Sequence, residues 1–343
     1  MGPMARALQV TKLSVAPDEI GRFEEEWRSL EERPDRAPFL CWDWLAQWTR
    51  VYRPQRLSLL RVAASDRSVV ALGLVEDGPL GIWRFAGRPI TPQRGLLCGR
   101  PDEEGEIWRA FGLWLQERRA QWSLLQAEGV GVVPAALPWA HLAPETVPRL
   151  ELPASFDDYL SARSSENRKA LKKKLRRAER VGAVVGEADD RDRGRVLDEL
   201  VRLHGERARS KGERHVGVDP RLARALDAIA HSSRLNVRVL ELTLAGQTIG
   251  ASIRVDRDRT AYAYNVGIDP AHAALSPGIL LELESIRDAI ERGLAVYDMG
   301  PGDYKYKLDL GGVPTTRFGL EATSRSLRGR LLAVAIAARR FRR

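Results

Sequence analysis

Apolar and polar positions alternate with a period of two through residues 7–15 (ALQVTKLSV), which predicts a strand. Helical spacing follows at 17–32 and 42–52, then three short strands: LSLLRVAAS, SVVALGLVE and LGIWRFAG. Beyond the Gly/Pro-rich stretch GRPITPQRGLLCGRP, a helix at 103–119 and the strand WSLLQAE complete the order β-α-α-β-β-β-α-β. Proline-rich sequence from Val130 to Pro148 predicts a linker. The order then returns: the strand VPRLELP, a helical region over 155–233, the strands VRVLELTLA, TIGASIRVD and TAYAYNVGI, a helix opening with Ser-Pro-Gly, and the strands AVYDMG and TTRFGLEAT. One element order used twice with little shared sequence predicts a duplicated α/β domain, mixed sheets with helices on both faces. The expected boundaries are a first domain at 1–130, a linker at 131–148, a second domain at 149–323 and a basic amphipathic helix at 324–343.

In SPGILLELESIRDAIERG, Ile279, Leu283, Ile286 and Ile290 recur at i, i+4, i+7 and i+11, a buried stripe that leaves Glu282, Arg287, Asp288 and Glu291 outside. In AYAYNVGI, Tyr262, Tyr264 and Val266 share one face and Ala263, Asn265 and Gly267 the other. The helix therefore packs on a sheet with its start at the edge of that strand, where open α/β sheets bind ligands. Ser276 suits an N-cap and Pro277 the first turn. Gly278 costs about 1 kcal/mol inside a helix relative to Ala. Two readings stand: a phosphate held by free N–H groups at the helix start, or an ordinary capped helix.

Composition narrows the classes. The longest apolar run, LLAVAIAA at 331–338, falls well short of the ~20 residues of a membrane span. The opening MGPMARALQV lacks the apolar region of a secretion signal, and two cysteines, Cys41 and Cys98, without metal-like spacing suit a reducing cytoplasm. No metal site is expected from five scattered His. Of 55 basic residues only eight are Lys, and Lys169, Lys172, Lys173 and Lys174 cluster within six positions. A basic balance of +9 favours polyanionic partners such as CoA phosphates, tRNA or an anionic membrane face.

Seven stretches in order carry a family likeness: PFLCWDWLAQW (38–48), NRKALKKKLRRAERVGAV (167–184), LVRLHGERARSKG (200–212), GQTIGASI, YNVGIDP, SPGILLELESIRDAIERG and YDMGPGDYKYKLDLGG. Together they resemble the GNAT acyltransferase superfamily, in its CelD-like (cellulose-biosynthesis-annotated) branch, with the FemABX peptidyltransferases as wider relatives. The resemblance covers essentially the whole chain. It implies tandem GNAT folds, the first half degenerate and the second holding acetyl-CoA or another acyl-CoA, its pyrophosphate on the backbone from Leu275 through Ser276, Pro277 and Gly278 to Ile279. The family pattern Arg/Gln-x-x-Gly-x-Gly/Ala is replaced here by Ala-Ala-Leu-Ser-Pro-Gly, and Pro277 removes one donor. Backbone N–H groups at Asn265 and Val266 would polarise the thioester.

Direct acyl transfer to an amine needs a base, an oxyanion stabiliser and an acid for the thiolate. Asp298 and Asp303 are alternative bases; Tyr304 and Tyr306 are alternative acids. His204 falls where the family helix carries a His. Arg168, Lys172, Tyr264 and Lys307 are the candidate acceptor-binding residues. The leading expectation is an acyl-CoA-dependent N-acyltransferase acting on an amine of an amino sugar or small envelope-polysaccharide precursor. Two alternatives stay open: a Fem-like transferase using charged tRNA, and a non-catalytic scaffold of the same fold. The tail at 324–343 fits an anionic membrane surface or packing on the domain, placing the protein in the cytoplasm or at the inner membrane face; DNA is not an expected partner.

Overall fold

The computed structural model describes residues 8–32, 37–131, 137, 140–210, 219, 221–232 and 234–340. The chain divides into two compact units, residues 1–145 with 316–343, and residues 146–315.

Unit 1 contains β1 (Gln9–Val15), α1 (Glu24–Glu31), α2 (Trp42–Tyr52), β2 (Leu57–Ala63), β3 (Val69–Asp77), β4 (Ile82–Phe85), β5 (Leu97–Cys98), α3 (Glu104–Glu117) and β6 (Leu124–Val130). Its core is aromatic: Trp27, Trp44, Trp48, Trp108 and Trp122 are almost fully buried. Both cysteines are buried here and not joined in a disulfide.

Unit 2 begins within β7 (His141–Glu151) and runs through α4 (Phe156–Ser161), α5 (Ser165–Arg180), β8 (Val184–Glu187), α6 (Arg193–Ser210), α7 (Arg221–Ala230), β9 (Asn236–Leu244), β10 (Gln247–Arg257), β11 (Thr260–Ile268), α8 (Pro277–Glu291), β12 (Val296–Asp298) and α9 (Lys305–Asp309). Its strands lie in the order β7-β12-β11-β10-β9-β8. The chain returns to unit 1 within β13 (Val313–Thr323), which pairs with β6 there, and ends its described part in α10 (Leu327–Arg340).

Three expectations change. Strand TTRFGLEAT, read as closing the second domain, pairs with β6 in unit 1 from Phe318 onward. The predicted linker holds most of β7, which accepts Pro144 and Pro148 on an extended backbone. The helical region 155–233 is broken by β8. There Gly182 adopts φ +74 and the Ala183 N–H bonds to the Ala178 carbonyl, a Schellman stop that only a residue at ease in the left-handed region supplies cheaply. The freed chain, Val184–Glu187, then adds to β9 as an edge strand.

Candidate active site

The site begins where two strands part. β11 and β12 pair in parallel over three residues, Thr260 with Val296, Ala261 with Tyr297 and Tyr262 with Asp298. Past that point the lining of a cavity of about 350 Å³ comes from Ala263, Tyr264, Asn265 and Val266 on one side and Met299, Gly300 and Pro301 on the other. A bulge makes four consecutive residues of β11 available. Ile253 pairs with Asn265 and Arg254 with Ala263, so Tyr264 is an extra residue and the clean alternation expected for this strand changes parity.

Glu282 of α8 lines the cavity, with Ser285 one turn on and Tyr297 from β12. Its expected place outside the helix is wrong. α8 buries a wider arc than one stripe, taking in Leu280, Leu281, Ser285 and Ala289 as well as Leu283 and Ile286, and Glu282 falls inside it. Burial pushes its carboxyl up to about 7, against the pull of the Lys307 ammonium, the Tyr297 hydroxyl and Arg254. Tyr297 donates to Ser285 Oγ at 2.9 Å, and burial beside Glu282 holds its phenol well above the usual range. Beneath them Arg254 is buried in a fork with Asp256 (2.6 and 2.8 Å), donates to Asp288 Oδ2 at 2.5 Å and reaches the Ser285 carbonyl at 2.5 Å. This network holds the inner side of α8 against β10.

Lys307 is buried at the cavity wall and donates to the carbonyls of Gly300 (2.9 Å) and Pro301 (2.7 Å). Its short helix is anchored at its end, where Tyr159 Oη and Arg163 Nη1 each donate to the Leu310 carbonyl at 3.0 Å. Tyr304 and Tyr306, also in the lining, stack with centroids 6.1 Å apart. His204 lines the cavity from α6, with Nδ1 buried and lacking a hydrogen-bond partner. Gly267 lets α6 come this close. A Cβ there would stand 2.5 Å from the Leu200 carbonyl and 3.0 Å from Leu203 Cβ.

Thus the cavity gathers His204, Tyr264, Asn265, Val266, Tyr304, Tyr306 and Lys307 from the expected set. Asp298 is buried at the end of β12, where it accepts the Gly300 N–H at 3.0 Å and faces Arg149 Nε at 3.9 Å; it is a turn carboxylate outside the lining. Asp303 is exposed and also outside it. Arg168 is half-buried and donates to the Ser161 carbonyl at 3.0 Å, and Lys172 is exposed on α5; neither lines the cavity. Glu282 was missed because a helical carboxylate between leucines reads as solvent-facing. The one signal was that Glu282 directly precedes Leu283 of the buried stripe.

At the start of α8, Ser276 has φ +57 and caps nothing. This backbone leaves its Oγ accepting from Lys174 Nζ at 2.7 Å instead, while Arg177 Nη1 reaches the Ala274 carbonyl at 3.0 Å. The Ser276 and Ile279 N–H groups are bonded to Ala273 and Ser276 carbonyls, and Pro277 has none. Gly278, in the first turn, has no acceptor one turn back in its own helix. A Cβ on Gly278 would meet only Ile268, at 3.7 Å, so nothing within the chain demands glycine there. On β11 the Val266 N–H is taken by Asn265 Oδ1 at 2.8 Å.

Unit 1 builds the same opening and fills it. β4 and β6 pair in parallel over Ile82–Leu124, Trp83–Leu125 and Arg84–Gln126. Next to this Arg94 bridges Glu128, exchanging backbone bonds of 2.8 and 2.9 Å and pairing its guanidinium with the Glu128 carboxylate. Trp44 and Trp48 donate to Thr91 Oγ1 and the Arg88 carbonyl, fixing this inserted loop.

Residues 165–308 match the family of the acetyltransferase (GNAT) domain. No curated protein matches the chain in sequence. Among solved structures the chain is similar to FemX (TM-score 0.60, 11% identity, 94% of this chain and 99% of that one) and to L-PGS from Bacillus licheniformis (0.54, 13%, 91% and 95%). It is also similar to a tandem GNAT protein from the clavulanic acid biosynthesis pathway (0.51, 14%, 93% and 99%). At these identities the likeness is one of fold, and that fold is the tandem GNAT arrangement with mixed sheets. No cluster of His, Cys, Asp and Glu that could hold a metal ion occurs among the described residues.

Proposed function

We propose that this acyltransferase moves an acyl group from CoA directly to a small-molecule amine in the cavity between β11 and β12, with Glu282 as the base. The observation that carries the reading is a carboxyl poised at about 7 on the wall of a cavity of about 350 Å³. The amine nitrogen attacks the thioester carbonyl carbon and loses its proton to Glu282. The carbon–sulfur bond breaks, and the CoA thiolate takes a proton from Tyr304 or Tyr306; solvent resets both groups. Asn265 turns away to release the Val266 N–H for the thioester oxygen. Gly278, with Lys174 and Arg177 beside it, receives the CoA phosphates. Neither Cys41 nor Cys98 lines the cavity, which supports direct transfer over a covalent acyl-cysteine. The finer assignment to an amino-sugar or envelope-polysaccharide acceptor rests on the CelD-like resemblance.

One observation favours a second reading, an aminoacyl-tRNA donor. Lys169, Lys172 and Lys173 on α5 are exposed, and no ion pair among the described residues involves them. Thermal stability with saturating acetyl-CoA, longer acyl-CoAs, free CoA and bulk tRNA separates the readings. A ligand at 100 times its Kd adds about 2.7 kcal/mol. Stabilisation by acyl-CoA alone supports the proposal and by tRNA alone the second reading; silence from all favours the scaffold alternative.

A further inference from the structure

The last described helix carries two apolar stripes. Gly329, Leu332, Ala333 and Ile336 of α10 are buried or half-buried and form its packing side. On the opposite side, Leu327, Leu331 and Val334 are 76%, 65% and 69% exposed, and Ala338 continues the i, i+4, i+7, i+11 series. Each alternative read from sequence thus has a face of the helix: one side is buried or half-buried, and the other presents a second apolar stripe. At 100° per residue, exposed Arg328 and Arg330 fall on either flank of the outer stripe. Residues 324–343 contain seven Arg and no Asp or Glu. Among the described residues no helix is long and apolar enough to cross a membrane, and α10 extends for only about 21 Å.

We propose that the outer face of α10 seats the protein on an anionic phospholipid bilayer, the apolar stripe entering the headgroup–acyl boundary and the arginines contacting lipid phosphates. Charge decides the occupant. A soluble protein partner would need a carboxylate-rimmed apolar groove, whereas a bilayer supplies apolar depth and a negative surface together. This inference stands apart from the acyl-transfer reading, since no α10 residue lines the cavity.

The test is co-sedimentation of the full chain with vesicles of phosphatidylcholine, and of phosphatidylcholine with 30% phosphatidylglycerol. Binding is expected to the anionic vesicles and to be at least ten-fold weaker to the neutral ones. The variant Leu331→Glu/Val334→Glu alters only exposed side chains, so its thermal midpoint should be unchanged while binding is lost. Arg328→Gln/Arg330→Gln should weaken anionic binding about 25-fold, about five-fold per arginine. Undiminished binding of the Glu variant would assign the charge contact to another surface, such as α5, and overturn the proposal. So would equal binding to both vesicle types, or a dimer in solution that the Glu variant splits.

Discussion

Replacing Glu282 by Gln should make this protein slower and more stable at once, and the two effects come from one carboxyl. Burial raises the folded value from an ordinary 4.5 to about 7. The folded chain therefore holds this proton more tightly than the unfolded chain does. The stability it contributes is full below about pH 4.5 and is lost as pH climbs through about 7. At 1.36 kcal/mol per pH unit, a rise of about 2.5 units makes that loss about 3.4 kcal/mol, and solvent reaching the cavity trims it to about 1.5–3 kcal/mol. Glutamine has no such proton. Urea denaturation followed by far-UV circular dichroism should give similar stabilities for the two proteins near pH 5. Above pH 8 the variant should be the more stable by about 1.5–3 kcal/mol. Its kcat with acyl-CoA and a competent amine should fall by about 10² to 10⁴, and the wild-type kcat/KM should drop on the acid side of pH 7. A variant less stable at pH 8, or a stability difference independent of pH, would refute the burial argument; unchanged kcat would refute the assignment of the base.

Other outcomes follow from neighbouring contacts. Lys307→Met removes the main charge that lowers Glu282, so the acid limb of the pH–rate profile should move above 7; freeing two carbonyls should cost about 1–3 kcal/mol. Gly278→Ala should leave stability equal or up to about 1 kcal/mol higher while raising KM for acyl-CoA, measurable by steady-state kinetics and thermal unfolding. Arg254→Met strands the buried Asp256, while Asp288 keeps Arg292, and should cost about 3–5 kcal/mol in denaturant titrations. Gly267→Ala forces α6 off β11 and should lower kcat by displacing His204, with a loss of thermal stability.

Much of the fold was legible because strands and amphipathic helices carry local periods. The β9–β10–β11 meander and α8 appear in the structure where the sequence places them. β8 was hidden because four residues, Val184–Glu187, are too few to show an alternation after a long helix. β13 was found as a strand, but the pairing of its later residues with β6 in unit 1 was not, since strand pairing is a long-range choice that no local pattern records. The site was half legible. Tyr304, Tyr306 and Lys307 stand in a motif at and within the short helix α9, Asn265 and Val266 in one near the end of β11, and they do meet at the cavity. Asp298 stands outside the lining, since the end of a strand suits a turn-binding carboxylate as well as a base. Glu282 escaped because its place on the cavity wall depends on the strand separation, and that separation exists only after the sheet has formed.

The aromatic core of unit 1 has an optical consequence. All nine tryptophans lie before residue 140, within that unit, while Tyr159, Tyr262, Tyr264, Tyr297, Tyr304 and Tyr306 belong to unit 2. Intrinsic emission excited at 295 nm therefore reports only the unit whose opening is filled by Arg94. Ligand entry beside Glu282 leaves those fluorophores without direct contact, whereas near-ultraviolet signals of the tyrosines register it. Tyr52 is the one tyrosine of unit 1, so emission excited at 295 nm isolates unit 1 while tyrosine signals come mainly from unit 2, and comparing the two during one titration reports on both units without any added probe.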